Sequence, residues 1–148
     1  MKKWLALLCL LASPAYSNNL NVFGGSNIGS DEAGLAAAEY VIPLIAEVGP
    51  FFEWSRNTGT PDNRYNLGLV ARLPTPWLNF FVDTRASYNW NTAPISIGSR
   101  NGFSLEPGIG YRLVGKVVDI MPRIGFNAVT QNDDLPVVNL SIGLAFVL

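Results

Sequence analysis

The residues able to do chemistry in this 148-residue chain are carboxylates and guanidiniums. There is no histidine, and the one cysteine is Cys9. Histidine acid–base catalysis, Ser-His triads and Cys/His zinc sites are therefore outside its repertoire. A carboxylate pair could still act as a hydrolase, for example Glu47 with Glu53. Six residues of extended chain put those two about 20 Å apart, beyond the reach of paired carboxylates. Gly108-Ile109-Gly110 lacks the third glycine and the following helix of a nucleotide fingerprint. Asp133-Asp134 could touch calcium or a lipid-bound cation, but adjacent loop acids are more often simply solvated. No cofactor or metal site is expected.

What remains is charge pairing, and it depends on which way the side chains point. Most of the chain alternates apolar and polar with a period of two, the mark of a β-strand with one greasy face. The last stretch shows it plainly. Val138, Leu140, Ile142, Leu144, Phe146 and Leu148 share one parity, with Asn139, Ser141, Gly143 and Ala145 between them. The same pattern marks Leu44 to Ser55, Arg64 to Leu73, Leu78 to Asn91, Gly102 to Leu113 and Val117 to Asn127. Leu20 to Gly25 is a weaker strand. Ala33 to Ile42 has alanines suited to a helix, but the alternation around Glu39 favours a strand. In the third segment Pro50 should mark a bulge or a missing ladder bond, since proline cannot donate. Phe51 there breaks the alternation.

With these phases, Glu39, Glu47, Glu53, Asp83, Glu106 and Asp119 share the polar face with Arg72, Arg85, Arg112 and Arg123. Arg56, Arg64 and the other charges fall in loops or at strand ends. None is left on the apolar face. A charge there would cost about 2–4 kcal/mol at a bilayer midplane, so strict exclusion is what a lipid-facing wall requires. Charged residues are 14% of the chain, against about 25% in soluble domains. A soluble lipocalin-like barrel, with the apolar side turned inward around a ligand, is the competing arrangement.

The connections alternate too. Those around Pro43, Pro74 to Trp77 and Val114 to Lys116 are short; Ser26–Glu32, Arg56–Asn63, Thr92–Asn101 and Ala128–Pro136 are longer and polar. The chain opens with Lys2-Lys3, an apolar run from Trp4 to Ala12, and a small-residue cleavage pattern ending at Ser17. That is the form of a secretory signal peptide over 1–17, leaving a single domain over 18–148. Loss of Lys2 and Lys3 with the leader moves the net charge from −1 to −3, which argues against nucleic acid as a partner.

An alternating strand at the C-terminus of an exported chain resembles the closing strand of outer-membrane β-barrels. Their assembly signal runs polar, any, Gly, any, any, apolar, any, apolar. Ser141, Gly143, Phe146 and Leu148 fit its four defined positions, with Leu where Phe is the family favourite. Over the whole exported region the chain is similar to the small OmpA/OmpX-type barrels. The resemblance implies an all-β, eight-stranded antiparallel up-and-down transmembrane barrel, with short turns and both termini periplasmic. It also implies aromatic girdles at both interfaces. Trp54, Tyr65, Tyr88 and Trp90, with Phe103 and Phe126, would form the loop-side girdle. Trp77 and Tyr111, with Tyr40, Phe80 and Phe146, would form the turn-side one.

The expected protein is thus a non-enzymatic outer-membrane barrel with a polar, filled lumen, acting through its external loops in adhesion, surface exclusion or envelope integrity. Its expected partners are outer-membrane lipid, lipopolysaccharide and the barrel-assembly machinery, with any surface ligand unidentified. Outer-membrane acyltransferases, deacylases, phospholipases and omptin proteases use a histidine that this chain lacks. An envelope enzyme with a carboxylate site stays open beside the lipocalin-like binder.

Overall fold

The computed structural model describes residues 18–28, 32–44, 46–57, 63–75, 78–91, 102–126 and 138–148. The leader segment, Trp77, Asp133 and Asp134 lie outside these residues. Eight strands close into a barrel in chain order, every neighbouring pair antiparallel. They are β1 (Asn19–Ile28), β2 (Glu32–Pro43), β3 (Glu47–Asn57), β4 (Asn63–Pro74), β5 (Phe80–Asn91), β6 (Gly102–Tyr111), β7 (Val118–Phe126) and β8 (Val138–Val147). Closure comes from β8 against β1, with Phe146 opposite Leu20 and Val138 opposite Ile28. Strands of nine to twelve residues match the roughly 9–11 needed to cross a bilayer at a tilt.

Alternation decides the wall. In β8, Asn139, Ser141, Gly143 and Ala145 are buried in the interior while Leu140, Ile142, Leu144 and Phe146 are exposed outside. The outer wall carries the large apolar side chains, Leu69 60% and Ile142 61% exposed among them. The lipocalin-like arrangement, with the apolar side inward, is therefore not the one observed.

The segment around Glu39 is strand throughout, as its alternation favours. Several other details differ from the sequence expectation. β1 runs on to Ile28 and β2 opens at Glu32, so the expected Ser26–Glu32 loop is mostly strand. Asn79 belongs to the turn before β5, at φ 55°, a left-handed conformation that Asn tolerates better than most residues. There Thr75 N–H donates to the Phe80 carbonyl at 2.8 Å and Arg112 N–H to that of Asn79 at 2.7 Å. β6 stops at Tyr111, and Leu113 makes only an isolated bridge to Ile120.

Pro50 leaves a gap, not a bulge. Glu39 pairs with Phe51 and Ile42 with Val48 in one register, and the two pairs between are missing. Beside the gap, a Cβ on Gly49 would run into the Tyr40 carbonyl, so only glycine permits this approach of β3 to β2. The β6–β7 seam is thinner still. Among the described residues only Gly108–Gly110 pair there, with Arg123–Gly125. The run stops at Pro107 on β6 and at Pro122 on β7, neither of which has an N–H to donate.

Candidate functional site

Among the described residues, the barrel interior is where this chain concentrates chemistry. The strands deliver Glu39, Glu47, Glu53, Arg72, Asp83, Arg85, Glu106, Asp119 and Arg123 to it, and Arg112 joins them from just beyond β6. Arg72, Arg85 and Arg123 are at most 2% exposed. Arg112, Glu106 and Asp119 keep 18%, 14% and 16% of their side-chain surface.

They form one connected network. Glu39 from β2 sits between two guanidiniums, accepting from Arg72 Nη2 at 2.7 Å and from Arg85 Nη2 at 2.6 Å. Arg72 also reaches Glu47 at 3.3 Å and Asp83 at 3.4 Å. Glu47 accepts from Arg112 Nη2 at 3.0 Å, and Asp119 lies 3.9 Å from Arg112 Nε. Asp83 takes a two-pronged grip from Arg123, which gives Nη1 to Glu106 at 2.5 Å. Arg85 Nη1 lies 3.5 Å from Glu53 and 3.6 Å from Glu106, and Asn66 Nδ2 donates to Glu53 at 2.8 Å. Each of the six carboxylates thus has a guanidinium within ion-pair distance, as buried charge requires.

Apolar parts of this interior were not legible from alternation. Phe23, Phe51 and Phe81 project inward, as do Val41, Val70 and Met121. Each phenylalanine stands opposite a glycine of the next strand: Phe23 opposite Gly143, Phe51 opposite Gly68, Phe81 opposite Gly110. At Gly143 and Gly110 any Cβ would overlap the ring. The rings face the arginines. The Arg72 guanidinium carbon is 4.7 Å from the Phe81 centroid, and that of Arg85 is 5.0 Å from Phe23 and 5.4 Å from Phe51. These distances are within cation–π range. Phe51 therefore does not break the pattern; it is an apolar residue on the inner face. The signal that could have found these rings is the glycine opposite each of them.

The remaining singled-out residues lie on the wall. Ser141 and Gly143 point inward, Phe146 and Leu148 outward, and Leu148 N–H donates to the Asn18 carbonyl at 2.9 Å just beyond β8. Trp54, Tyr65 and Trp90 are cross-strand neighbours in a row near the loop end. Tyr88 packs edge-on against Phe103 at 5.3 Å, and Tyr111 against Phe80 at 4.9 Å. Arg56, expected in a loop, is instead an exposed residue of β3.

No protein-family model matches the sequence, and no curated protein does. Solved structures match its fold. Neisserial surface protein A is 16% identical with a TM-score of 0.61, over 88% of this chain and 97% of that one. The N-terminal β-barrel domain of Pseudomonas aeruginosa OprF is 13% identical at 0.58, over 88% and 98%. A de novo designed transmembrane β-barrel is 16% identical at 0.54, over 92% and 98%. The fold is that of the small eight-stranded outer-membrane barrels.

Proposed function

We propose that this chain is an integral outer-membrane protein whose barrel is a sealed, non-enzymatic scaffold, plugged by its own side chains and acting at the cell surface. The observation that carries the reading is the inversion of polarity across the wall. The interior holds a connected set of ion pairs, while the exterior is a belt of large apolar residues. Water as solvent would favour the reverse; lipid outside favours this one. Neighbouring ends support an orientation. Asn18 and Leu148 meet at the end bearing the short turns, so the opposite end would face outward. The carboxylates support a structural role, since all six lie within ion-pair distance of an arginine. Adhesion, surface exclusion and envelope integrity are the roles that such a scaffold serves.

Cell fractionation tests the location. The mature protein is expected in the outer-membrane fraction, migrating on gels differently before and after boiling, because closed strands leave no edge to open. Recovery in a soluble periplasmic fraction overturns the reading.

A further inference from the structure

Among the strand residues whose side chains the structure describes, the outer wall carries one charged group, Arg56. It lies on the outer face of β3, two residues beyond Trp54, and is exposed. No carboxylate among the described residues pairs with it. Its cross-strand neighbour Asn63 is occupied, accepting from Trp54 Nε1 at 3.1 Å. From Trp54 the row continues to Tyr65 and Trp90, whose rings stack at 5.7 Å and 21°.

A cation on a barrel wall costs about 2–4 kcal/mol at the midplane and about 0–1 near the interface. Tryptophan and tyrosine settle at the headgroup level. Two residues of strand carry Arg56 about 7 Å further toward the loop end. The wall thus presents a guanidinium at phosphate height above a row of flat rings, with Leu67 and Leu69 exposed below Tyr65 on β4.

We propose that this rim of β3–β5 binds a phosphorylated glycolipid of the outer leaflet. The guanidinium fork of Arg56 takes a phosphate, which it matches two-pronged. Trp54, Tyr65 and Trp90 stack on the apolar face of the adjoining sugar, and the acyl chains run down over Leu67 and Leu69. A phosphatidyl headgroup would satisfy Arg56 alone and leave the rings without a flat partner, which favours the glycolipid. The assignment rests on the orientation proposed above, with the loop end outermost.

The test uses the purified protein in phosphatidylcholine nanodiscs, with bis-phosphorylated lipid A, its dephosphorylated form or phosphatidylglycerol added and bound lipid counted by native mass spectrometry. Lipid A is expected to bind most tightly. Arg56→Ala should weaken that binding about tenfold, the size expected for losing one hydrogen-bonded charge. Arg56→Lys should keep part of it, and Lys116→Ala, at the opposite end, all of it. Trp54→Ala should erase the preference for lipid A over phosphatidylglycerol. Heat-shifted gels confirm that each variant is folded. Wild-type affinity in Arg56→Ala overturns the site, and equal binding of phosphatidylglycerol to the wild type overturns the glycolipid. Neither result bears on where the protein resides in the cell, which fractionation answers separately.

Discussion

Arg123 on β7 grips Asp83 on β5 across the strand between them, with Nε 2.9 Å from one carboxylate oxygen and Nη2 2.8 Å from the other. The pair rides over Gly108 of β6, where a Cβ would come within 2.5 Å of both Arg123 Nη2 and Asp83 Oδ1. Non-adjacent strands can therefore be tied together because the middle one offers no side chain.

Gly108→Ala should push this pair off its seat and lower stability by about 1–3 kcal/mol, the usual cost of overfilling a packed interior. Gly24→Ala is the control, since a Cβ there meets nothing within 4 Å. Urea unfolding of both variants in lipid vesicles makes the comparison. Equal midpoints would remove the role given to Gly108.

Arg85 holds Glu39, Glu53 and Glu106 at once and is 1% exposed. Arg85→Ala should cost about 3–5 kcal/mol, because Glu53 stays buried without its counter-charge and Glu39 loses one of its two. Arg112→Ala should cost less, since water already reaches its side chain, 18% of which is exposed. The reverse order in unfolding midpoints would contradict the network described above.

Phe146→Asp combined with Leu148→Asp should strongly reduce outer-membrane levels. Both positions lie at the turn-side end, where a wall charge costs only about 0–1 kcal/mol. A large loss would then report failed recognition by the assembly machinery, not a penalty from lipid. Leu144→Asp, deeper in the belt, separates the two effects by in vitro folding into vesicles, which needs no machinery. Normal levels of the double variant would show that the C-terminal match carries no signal.

Planar bilayers containing the purified protein should show no large, stable currents. Eight strands leave an interior just wide enough for side chains, and aqueous channels appear at about 16 to 18. Here phenylalanine rings and ion pairs occupy that width together. Steady conductance from the wild type would point to transport.

The eight strands were legible because each turns a polar face inward and an apolar face outward, and that contrast is written in every second residue. Strand ends were less so. Arg56 looked like part of a turn-rich stretch, yet its backbone pairs with Asn63 and extends the ladder. The inner phenylalanines were illegible for a related reason. Alternation sorts residues by polarity, whereas Phe23 and Phe81 are placed by shape, each filling the space a glycine leaves on the neighbouring strand. Pairing across strands is a relation between distant residues, and a period counted along one segment does not contain it.

The thin seam between β6 and β7 gives the cylinder a direction of least resistance. Elsewhere the wall is zipped by long ladders, while here three backbone pairs and the bridge at Leu113 hold it among the described residues. Under denaturant the wall should part along this line first, and the amides of Gly108 to Gly110 should exchange before those of β3 and β4. The sheet that results has β6 and β7 as its free margins and keeps β1 zipped to β8 in its middle. Mechanically, the molecule's beginning and end lie where the ladder is thinnest, not where the chain starts and stops.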